Sequence, residues 1–255
     1  MKKKIVCFAL SFAFIFLSAC PCGAESKAIS FYIKKNGHNA PILSSELQGI
    51  GSYDAVYIDK ESAENKRKVI YLTFDAGYEN GNVERILDTL KEESVPGAFF
   101  ILGHLVRKNT DLVKRMTEEG HLVCNHTQSH PDLTKCTKEQ MRENLEALER
   151  VYTEKTGKKL SKYFRFPEGK FDEEKLALAK EMGYKTVFWS LAYADWDNDR
   201  QPSEEKAKRI LTENIHDGAI LLLHPTSATN AAILKDLIRE WRSMGYSFGR
   251  LTDIV

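Results

Sequence analysis

The run Val69-Ile70-Tyr71-Leu72-Thr73-Phe74, followed directly by Asp75, is the clearest strand signal in this 255-residue sequence. It is short, apolar and rich in β-branched and aromatic residues, a composition typical of a strand. Six further runs of similar composition, bounded by turn residues, lie at 98–102, 121–124, 163–166, 186–190, 219–223 and 246–248. The sequence therefore predicts seven strands.

Helical patterns separate these runs. Apolar residues recur at three- and four-residue spacing within 83–90, 141–152 and 234–241. Gly120 and Gly183 stand where two of the helices are expected to end. Strict alternation of strands and helices predicts a parallel sheet, either an open doubly wound sheet or a barrel.

Titratable residues follow five of the predicted strands at or near their C-terminal ends. In an α/β barrel these ends meet at one face, and catalytic residues lie there. A barrel would gather the whole set into one site, and we prefer it to the open sheet for that reason. The residues are Asp75 after the first strand, His126 and His130 after the third, Arg165 at the fourth, Asp195 after the fifth and His224 after the sixth.

Each of these residues also has an ordinary structural interpretation. His126 and His130 are four residues apart, so one helical turn would place both imidazoles on one face. There they could bind a divalent metal, or either ring could simply cap a turn. Asp75 could be a helix N-cap and Asp195 a turn residue. The case for an active site therefore rests on the set and not on one member.

Five short motifs contain these residues. They are Thr73-Phe74-Asp75-Ala76-Gly77, His126-Thr127-Gln128-Ser129-His130, Arg165-Phe166-Pro167-Glu168-Gly169, Asp195-Trp196 and Leu222-Leu223-His224. In this order they resemble the motifs of the polysaccharide deacetylase family, the NodB-homology domain of carbohydrate esterase family 4. The resemblance covers residues 68–250, behind a short irregular leading segment at 25–67. It implies an α/β fold, a distorted (β/α) barrel with about seven parallel strands.

The resemblance also implies roles for four of the residues. Asp75 would be the general base that deprotonates a metal-bound water, and Arg165 would pair with Asp75 and keep it ionised. His224 would be the general acid that protonates the departing amine, with Asp195 orienting its ring. Amide hydrolysis needs an activated water and a proton for a poor leaving group, so the four roles are chemically consistent.

The metal site that the resemblance implies lacks one ligand. His126 and His130 would bind a divalent metal (zinc, cobalt, manganese or magnesium), and the backbone N–H of Glu168 would help it to hold the oxyanion. The family's third ligand is an aspartate at the position of Ala76, which has no donor atom. A carboxylate introduced at that position is expected to tighten metal binding. The branch of the family that deacetylates N-acetylmuramic acid, for the δ-lactam of the spore cortex, also lacks this aspartate.

The missing aspartate and the run Gly77-Tyr78-Glu79-Asn80-Gly81 favour that branch, whose substrate is peptidoglycan. Alternative substrates are chitin oligomers, the N-acetylglucosamine of peptidoglycan and acetylated xylan. A non-catalytic wall-binding protein is an alternative of another class. Among the aromatic residues near strand ends, Tyr78, Tyr193 and Trp196 are predicted to stack on sugar rings, whereas Trp189 is predicted to lie in the core.

Residues 1–24 have the pattern of an export signal. Lys2, Lys3 and Lys4 precede an uncharged apolar stretch at 5–17, and small residues follow. Cleavage after Ala24 and lipoprotein-type cleavage before Cys20, which would leave a lipid anchor, are both consistent with this pattern. We therefore expect an exported protein of the cell envelope or the extracellular space, with no other link to a membrane.

The net charge bears on nucleic-acid binding, and the cysteine content bears on a possible disulfide. The formal net charge of +1 gives no electrostatic reason to expect nucleic-acid binding. Cys124 and Cys136 lie beyond the signal region and could form a disulfide or remain free thiols. The sequence leaves the oligomeric state open.

Overall fold

A computed structural model describes residues 27–254 of the chain. The predicted signal segment at 1–24 lies outside this range, and so do both predicted cleavage sites. Among the described residues, no helix is both long and apolar enough to cross a membrane.

The strands form one large sheet and one small one. Nine strands make the large sheet, in which every strand pair is parallel, and β1 pairs with β7 in an antiparallel two-stranded sheet. The strands are β1 (Ile29–Ser30), β2 (Ala55–Val56), β3 (Val69–Ala76), β4 (Gly97–Ile101), β5 (Leu122–Asn125), β6 (Tyr163–Phe164), β7 (Lys170–Phe171), β8 (Lys185–Val187), β9 (Leu191–Ala192), β10 (Ile220–Leu223) and β11 (Ser247–Phe248).

Helices connect the strands of the large sheet. Several begin at a side-chain cap, and a capping box of Thr137 and Gln140 lies at the start of the longest described helix. The helices are α1 (Lys60–Glu64), α2 (Asn82–Glu92), α3 (Gly103–Lys108), α4 (Thr110–Glu118), α5 (Lys138–Thr156), α6 (Glu173–Glu181), α7 (Glu204–Glu213) and α8 (Ala228–Ser243).

The large sheet curls into a distorted barrel. Its strand order is β2-β8-β6-β5-β4-β3-β10-β9, and β11 adds to β3. Near one edge, β8 runs through residues 188–190 into β9, which lies at the other edge. Within that stretch the N–H of Phe188 donates to the carbonyl of Val56, and the N–H of Ser190 donates to the carbonyl of Ile220. One continuous segment therefore joins both edges, and the prediction of a barrel is confirmed.

All seven predicted strands are present, but four short strands were missed. These are β1, β2, β7 and β9, each two residues long. Length alone does not explain the miss, because β6 and β11 are equally short but lie within predicted runs; the four missed strands lie outside those runs and are defined by tertiary pairing. The leading segment is also more than a packed extension, because its β2 pairs with β8 inside the large sheet.

Strand β3 separates the core from the interior of the barrel. Ile70, Leu72, Phe74 and Ala76 belong to the hydrophobic cluster that includes the buried faces of α2 and α8. Alternate residues of a strand face opposite sides, so Asp75 faces the interior. Phe100 of β4 is in register with Asp75. The guanidinium carbon of Arg165 lies 4.1 Å from the centroid of the Phe100 ring.

Candidate active site

Asp75 and Arg165 form a buried ion pair at the centre of the site. Nη1 of Arg165 donates to Oδ1 of Asp75 at 2.7 Å, and the two side chains are 0% and 9% exposed. Three further hydrogen bonds fix the guanidinium, to the carbonyl oxygens of Val187 and Phe188 and to Oγ1 of Thr73. A buried charge is stable only when it is paired and hydrogen-bonded, and Arg165 satisfies both conditions.

This pairing keeps the Asp75 carboxyl ionised. Burial by itself raises the pKa of Asp75, but the positive charge of Arg165 and smaller contributions from His126 and His224 outweigh it. The pKa therefore lies below the ordinary value of 3.8. At neutral pH the group is a carboxylate that can accept a proton.

His126 and His130 lie side by side, but not on a helix. Their ring centroids are 5.0 Å apart at an interplanar angle of 72°. The intervening residues form a loop in which Thr127 and His130 have positive φ angles of 78° and 58°. The predicted helical turn is therefore wrong, since two left-handed residues break it. The loop brings the rings together instead.

Neighbouring asparagines hold this strained loop. Oδ1 of Asn125 accepts from the N–H of Thr127, and Oγ1 of Thr127 accepts from the N–H of His130. Oδ1 of Asn144 on α5 accepts from the N–H groups of Gln128 and Ser129. Non-glycine residues with left-handed backbones cost about 1 kcal/mol or more each, and these contacts offset that cost.

His126 has the protonation state of a metal ligand. Its Nδ1 lies 2.9 Å from the carbonyl oxygen of Arg165, so Nδ1 carries the hydrogen and Nε2 has a free lone pair. Burial lowers the pKa of His126 to about 4, against the opposing charge of Asp75. Nε2 lies 3.5 Å from Oδ2 of Asp75. Both atoms are acceptors, and a cation beside them would stabilise the arrangement.

The donor set is that of a partial metal site. The imidazoles of His126 and His130 are suitable nitrogen donors for a divalent metal. Among residues 27–254, however, no group of three His, Cys, Asp or Glu side chains has the geometry to hold a metal ion. The residues fit a metal held by two protein nitrogens, whose other ligands would be water and substrate.

Ala76 lies on the wrong face of β3 to serve this site. It is 0% exposed and belongs to the hydrophobic cluster, in register with Ile101 of the same cluster. Asp75, one residue earlier, faces the interior. The strand register therefore contradicts the expectation that a carboxylate at position 76 would complete the metal site.

Asp195 and His224 form the second polar couple. Oδ1 of Asp195 accepts from Nδ1 of His224 at 2.7 Å, and Oδ2 accepts from the backbone N–H of His224 at 2.8 Å. Asp195 is 0% exposed, whereas the His224 side chain is 25% exposed. This arrangement leaves Nε2 as the ring nitrogen free to meet a substrate.

The His224 ring is held close to its protonated form. Burial lowers its pKa, but the hydrogen bond and charge of Asp195, with a further contribution from Asp75, raise it by more. The pKa therefore lies above the ordinary value of 6.5. Because β3 and β10 are paired neighbours, with Phe74 opposite Leu223, Asp75 and His224 follow adjacent strand ends.

Asn230 was not predicted to be part of the site. It is 1% exposed, and its Nδ2 donates to Oδ2 of Asp195 at 2.6 Å and to the carbonyl of His224 at 3.0 Å. Thr73, whose hydroxyl accepts from Arg165, belongs to a motif but had no predicted role of its own. Asn230 lies on α8 with no motif around it, so the sequence carries no signal for its contact.

Glu168 lies in the turn Pro167–Gly169, which follows β6. It is exposed, has a φ of 54°, and its carboxylate pairs with Lys170. The predicted role of Glu168 concerns its backbone N–H, and the pairing of its carboxylate with Lys170 does not bear on that role. The structure contains no oxyanion, and the donor role stays a prediction.

The aromatic residues divide into two groups. Trp196 is 63% exposed with its ring 6.4 Å from that of His224, and Tyr78 is 44% exposed and accepts from Nδ2 of Asn198. Tyr193 is only 6% exposed, and its hydroxyl donates to Oδ1 of Asn230. The prediction that Tyr193 stacks on sugar is therefore contradicted, since its face is packed in the core. Trp189, which is predicted to lie in the core, is partly exposed and packs against a second hydrophobic cluster, which contains Phe31 and Phe188.

Two other features lie away from this site. A cleft of about 640 Å³ is lined by the leading segment together with Lys185 and Ile254, and contains none of the site residues. Cys124 and Cys136 are free cysteines, in line with the free-thiol alternative. Burial raises the pKa of the Cys124 thiol to about 12, which makes it unreactive.

The fold and the site together define an α/β barrel with a buried Asp75–Arg165 ion pair and a separate Asp195–His224 couple. Residues 62–187 match the family model described as polysaccharide deacetylase. The peptidoglycan-N-acetylmuramic acid deacetylase PdaA of Bacillus subtilis is 41% identical over 219 residues, which is 86% of this chain and 82% of that protein. An uncharacterized 30.6 kDa protein of Geobacillus stearothermophilus is 39% identical over 255 residues, 99% of this chain and 94% of that protein.

The solved structures agree. The structure of Bacillus subtilis PdaA, a family 4 carbohydrate esterase, matches with a TM-score of 0.84 and 39% identity, covering 89% of this chain and 97% of that one. This chain belongs to the polysaccharide deacetylase family. The match to the family model ends before Asp195 and His224, so the second polar couple is recognised from the geometry alone.

Proposed function

We propose that this protein hydrolyses the acetamide of N-acetylated sugars in cell-wall peptidoglycan, with N-acetylmuramic acid as the preferred sugar. The observation that carries the proposal is the pair of oriented couples at one strand-end face, Asp75 with Arg165 and Asp195 with His224. Binding to the wall without catalysis requires neither a buried ionised carboxylate nor a histidine held ready to donate a proton. The PdaA relative supports muramic acid as the sugar.

Asp75 is the proton acceptor in this proposal. Its carboxylate takes a proton from the water that attacks the acetamide carbon, while Arg165 keeps its Oδ1 fixed. A low pKa makes a weak base, so the attacking water must be made more acidic by another group. Held by His126 and His130, a divalent metal would supply that acidity and would polarise the acetamide oxygen.

His224 is the proton donor. Amide cleavage requires a proton on the leaving nitrogen, and a histidine with a raised pKa keeps its proton to higher pH than an ordinary histidine. Asp195 holds Nδ1, so the proton that is delivered is the one on Nε2. The backbone N–H of Glu168 is proposed to donate to the oxyanion, and Tyr78 and Trp196 are proposed to contact the glycan.

The setting of the reaction is part of the proposal. The basic and apolar pattern at 1–24 supports export, with cleavage after Ala24 or lipidation at Cys20. A muramic acid deacetylase would act on the wall outside the membrane, in line with formation of the spore-cortex δ-lactam. Zinc, cobalt, manganese and magnesium are the candidate metals.

Acetate release from a panel of glycans tests this function. The panel contains peptidoglycan, peptidoglycan stripped of stem peptides, chitin oligomers and acetylated xylan, each with a chelator and with each added metal. We expect release from peptidoglycan, stimulated by metal, with the free amine on muramic acid. Release only from chitin oligomers or xylan would assign another substrate. No release from any glycan, together with retention on peptidoglycan, would favour a binding protein.

A further inference from the structure

Phe31 in the leading segment touches two parts of the active site at once. This segment precedes the region that matches the family model, and no motif includes it. The ring of Phe31 is stacked on that of Phe188, with centroids 4.2 Å apart and an interplanar angle of 11°. It also meets the ring of Trp189 edge-on at 5.2 Å. Phe31 itself is 4% exposed.

The first contact supports the guanidinium that holds the base. The carbonyl of Phe188 accepts from Nη2 of Arg165, and the preceding carbonyl, of Val187, accepts from Nε. The Trp189 ring lies 5.9 Å from the same guanidinium. A movement of this short stretch would shift two of the carbonyl acceptors of Arg165 and loosen its hold on Asp75.

The second contact supports the loop that carries Glu168. The N–H of Phe31 donates to the carbonyl of Gly169 at 2.8 Å, and β1 pairs with β7 directly after that loop. Gly169 has a φ of +64°, and a Cβ there would lie 2.7 Å from the Trp189 ring and 3.3 Å from Cβ of Phe31. The loop is therefore pressed between Phe31 and Trp189 with no spare room.

We propose that Phe31 is a positioning residue for deacetylation, which fixes the loop bearing Glu168 and the backbone carbonyls that orient Arg165. The inference rests on the proposed function. It assigns the leading segment a part in the active site although all five motifs lie elsewhere. Rate is sensitive to small displacements of catalytic groups, so loss of this contact affects turnover more than substrate binding.

The test compares three alanine variants of the full-length chain. Phe31→Ala removes the ring contacts with Phe188 and Trp189 and keeps the backbone hydrogen bond to Gly169. Tyr32→Ala changes the next residue, which is 61% exposed. Leu47→Ala opens the same hydrophobic cluster at a residue that is 0% exposed and lies outside the pairing of β1 with β7. Leu47→Ala therefore tests the effect of a core defect that leaves the Phe31 ring and the β1–β7 pairing in place.

We expect Phe31→Ala to lower kcat for acetate release at least about tenfold, with KM changed less than about twofold. Tyr32→Ala and Leu47→Ala should keep kcat within about twofold at a temperature where all variants are folded by circular dichroism. Phe31→Leu, which keeps an apolar side chain of similar size, should recover most of the lost rate. An equal loss of kcat in Leu47→Ala, or an unchanged kcat in Phe31→Ala, would overturn the proposal.

Hydrogen exchange gives a readout that does not depend on the reaction. Phe31→Ala should speed exchange of the amides in 166–171 and 187–190, whereas Leu47→Ala should leave these segments at the wild-type rate. If Phe31→Ala does not fold, Phe31→Val takes its place in both assays, because valine stays apolar but is too short to stack on Phe188, and the same changes are expected. A wild-type protein that releases no acetate contradicts the proposed function, while exchange still decides the positioning role. Unchanged exchange in both segments contradicts the positioning role alone.

Discussion

The site contains two buried carboxylates, and they differ in the kind of partner each one has. Asp75 is paired with Arg165, which cannot lose its charge at any physiological pH, whereas Asp195 is paired with His224, which can. A permanent cation lowers the pKa of Asp75, and a titratable partner has its own pKa raised by Asp195. Similar carboxylates thus have opposite consequences, which suit the proposed base on one side and the proposed acid on the other.

The largest effect is expected from breaking the permanent pair. Arg165→Ala would leave Asp75 buried without its cation, which typically costs about 3–5 kcal/mol of unfolding free energy. Urea unfolding measures this cost. The double variant Arg165→Ala, Asp75→Asn should regain part of it, because no buried charge remains. The surface variant Arg142→Ala, whose partner Glu181 is 69% exposed, should change stability by less than about 1 kcal/mol. Equal losses at the two arginines would contradict the comparison.

Removal of the base should affect the rate without unfolding the protein. Asp75→Asn keeps the shape of the side chain but cannot accept the proton, so kcat should fall at least about a hundredfold. Acetate release at saturating peptidoglycan measures it. Asp197→Asn, at an exposed position of the loop after Asp195, is the matched control and should stay near the wild-type rate. A rate within tenfold of wild type would remove Asp75 from the mechanism.

Removal of the acid should have a similar effect on rate and none on the metal. His224→Ala should lower kcat at least about a hundredfold, because the leaving amine no longer receives a proton. Cobalt titration followed by absorbance should match wild type, since His224 is separate from His126 and His130. In the same titration, His126→Ala should bind at least about tenfold more weakly, whereas His38→Ala, at a leading-segment histidine that bonds to the carbonyl of Ile215, should not. Loss of cobalt binding in His224→Ala would assign that residue to the metal.

The dependence on pH separates the two couples further. Asp75 has a lowered pKa and stays ionised down to below pH 3.8, whereas His224 must be protonated and has a pKa above 6.5. Activity should therefore fall as pH rises through the pKa of His224. The stabilisation from the Asp195–His224 pair is complete below pH 6.5 and is lost over the same rise. Asp195→Asn should move the fall in kcat to lower pH, and Asp197→Asn should not. A fall at the same pH in Asp195→Asn would contradict this assignment.

The smallest effect on metal affinity is expected at position 76. Ala76→Asp places a carboxylate on the core face of β3, so it should lower the unfolding midpoint without tightening cobalt binding. The titration is made at a temperature below that midpoint. A folded variant with clearly tighter binding would mean that the end of β3 turns position 76 toward the histidines.

Several parts of this protein were readable from the sequence because local signals carried them. Seven apolar runs predicted the seven main strands, and titratable residues at their ends predicted which side chains the barrel would gather. Asp75, Arg165, Asp195 and His224 were each identified from a motif and lie in the expected couples. Motifs preserve such residues in a recognisable order because the chemistry allows few substitutes.

Contacts between residues far apart in the chain were decided only by the tertiary structure. The strand register placed Ala76 in the core and Asp75 in the site, although the two are adjacent. The backbone of the His126 loop, the burial of Tyr193 and the bond from Asn230 to Asp195 also depend on packing. Two-residue strands such as β1 exist only through their partners. Local sequence specifies periodicity and chemistry, whereas register and burial arise from the folded chain as a whole, because a one-residue shift reverses the face of every side chain.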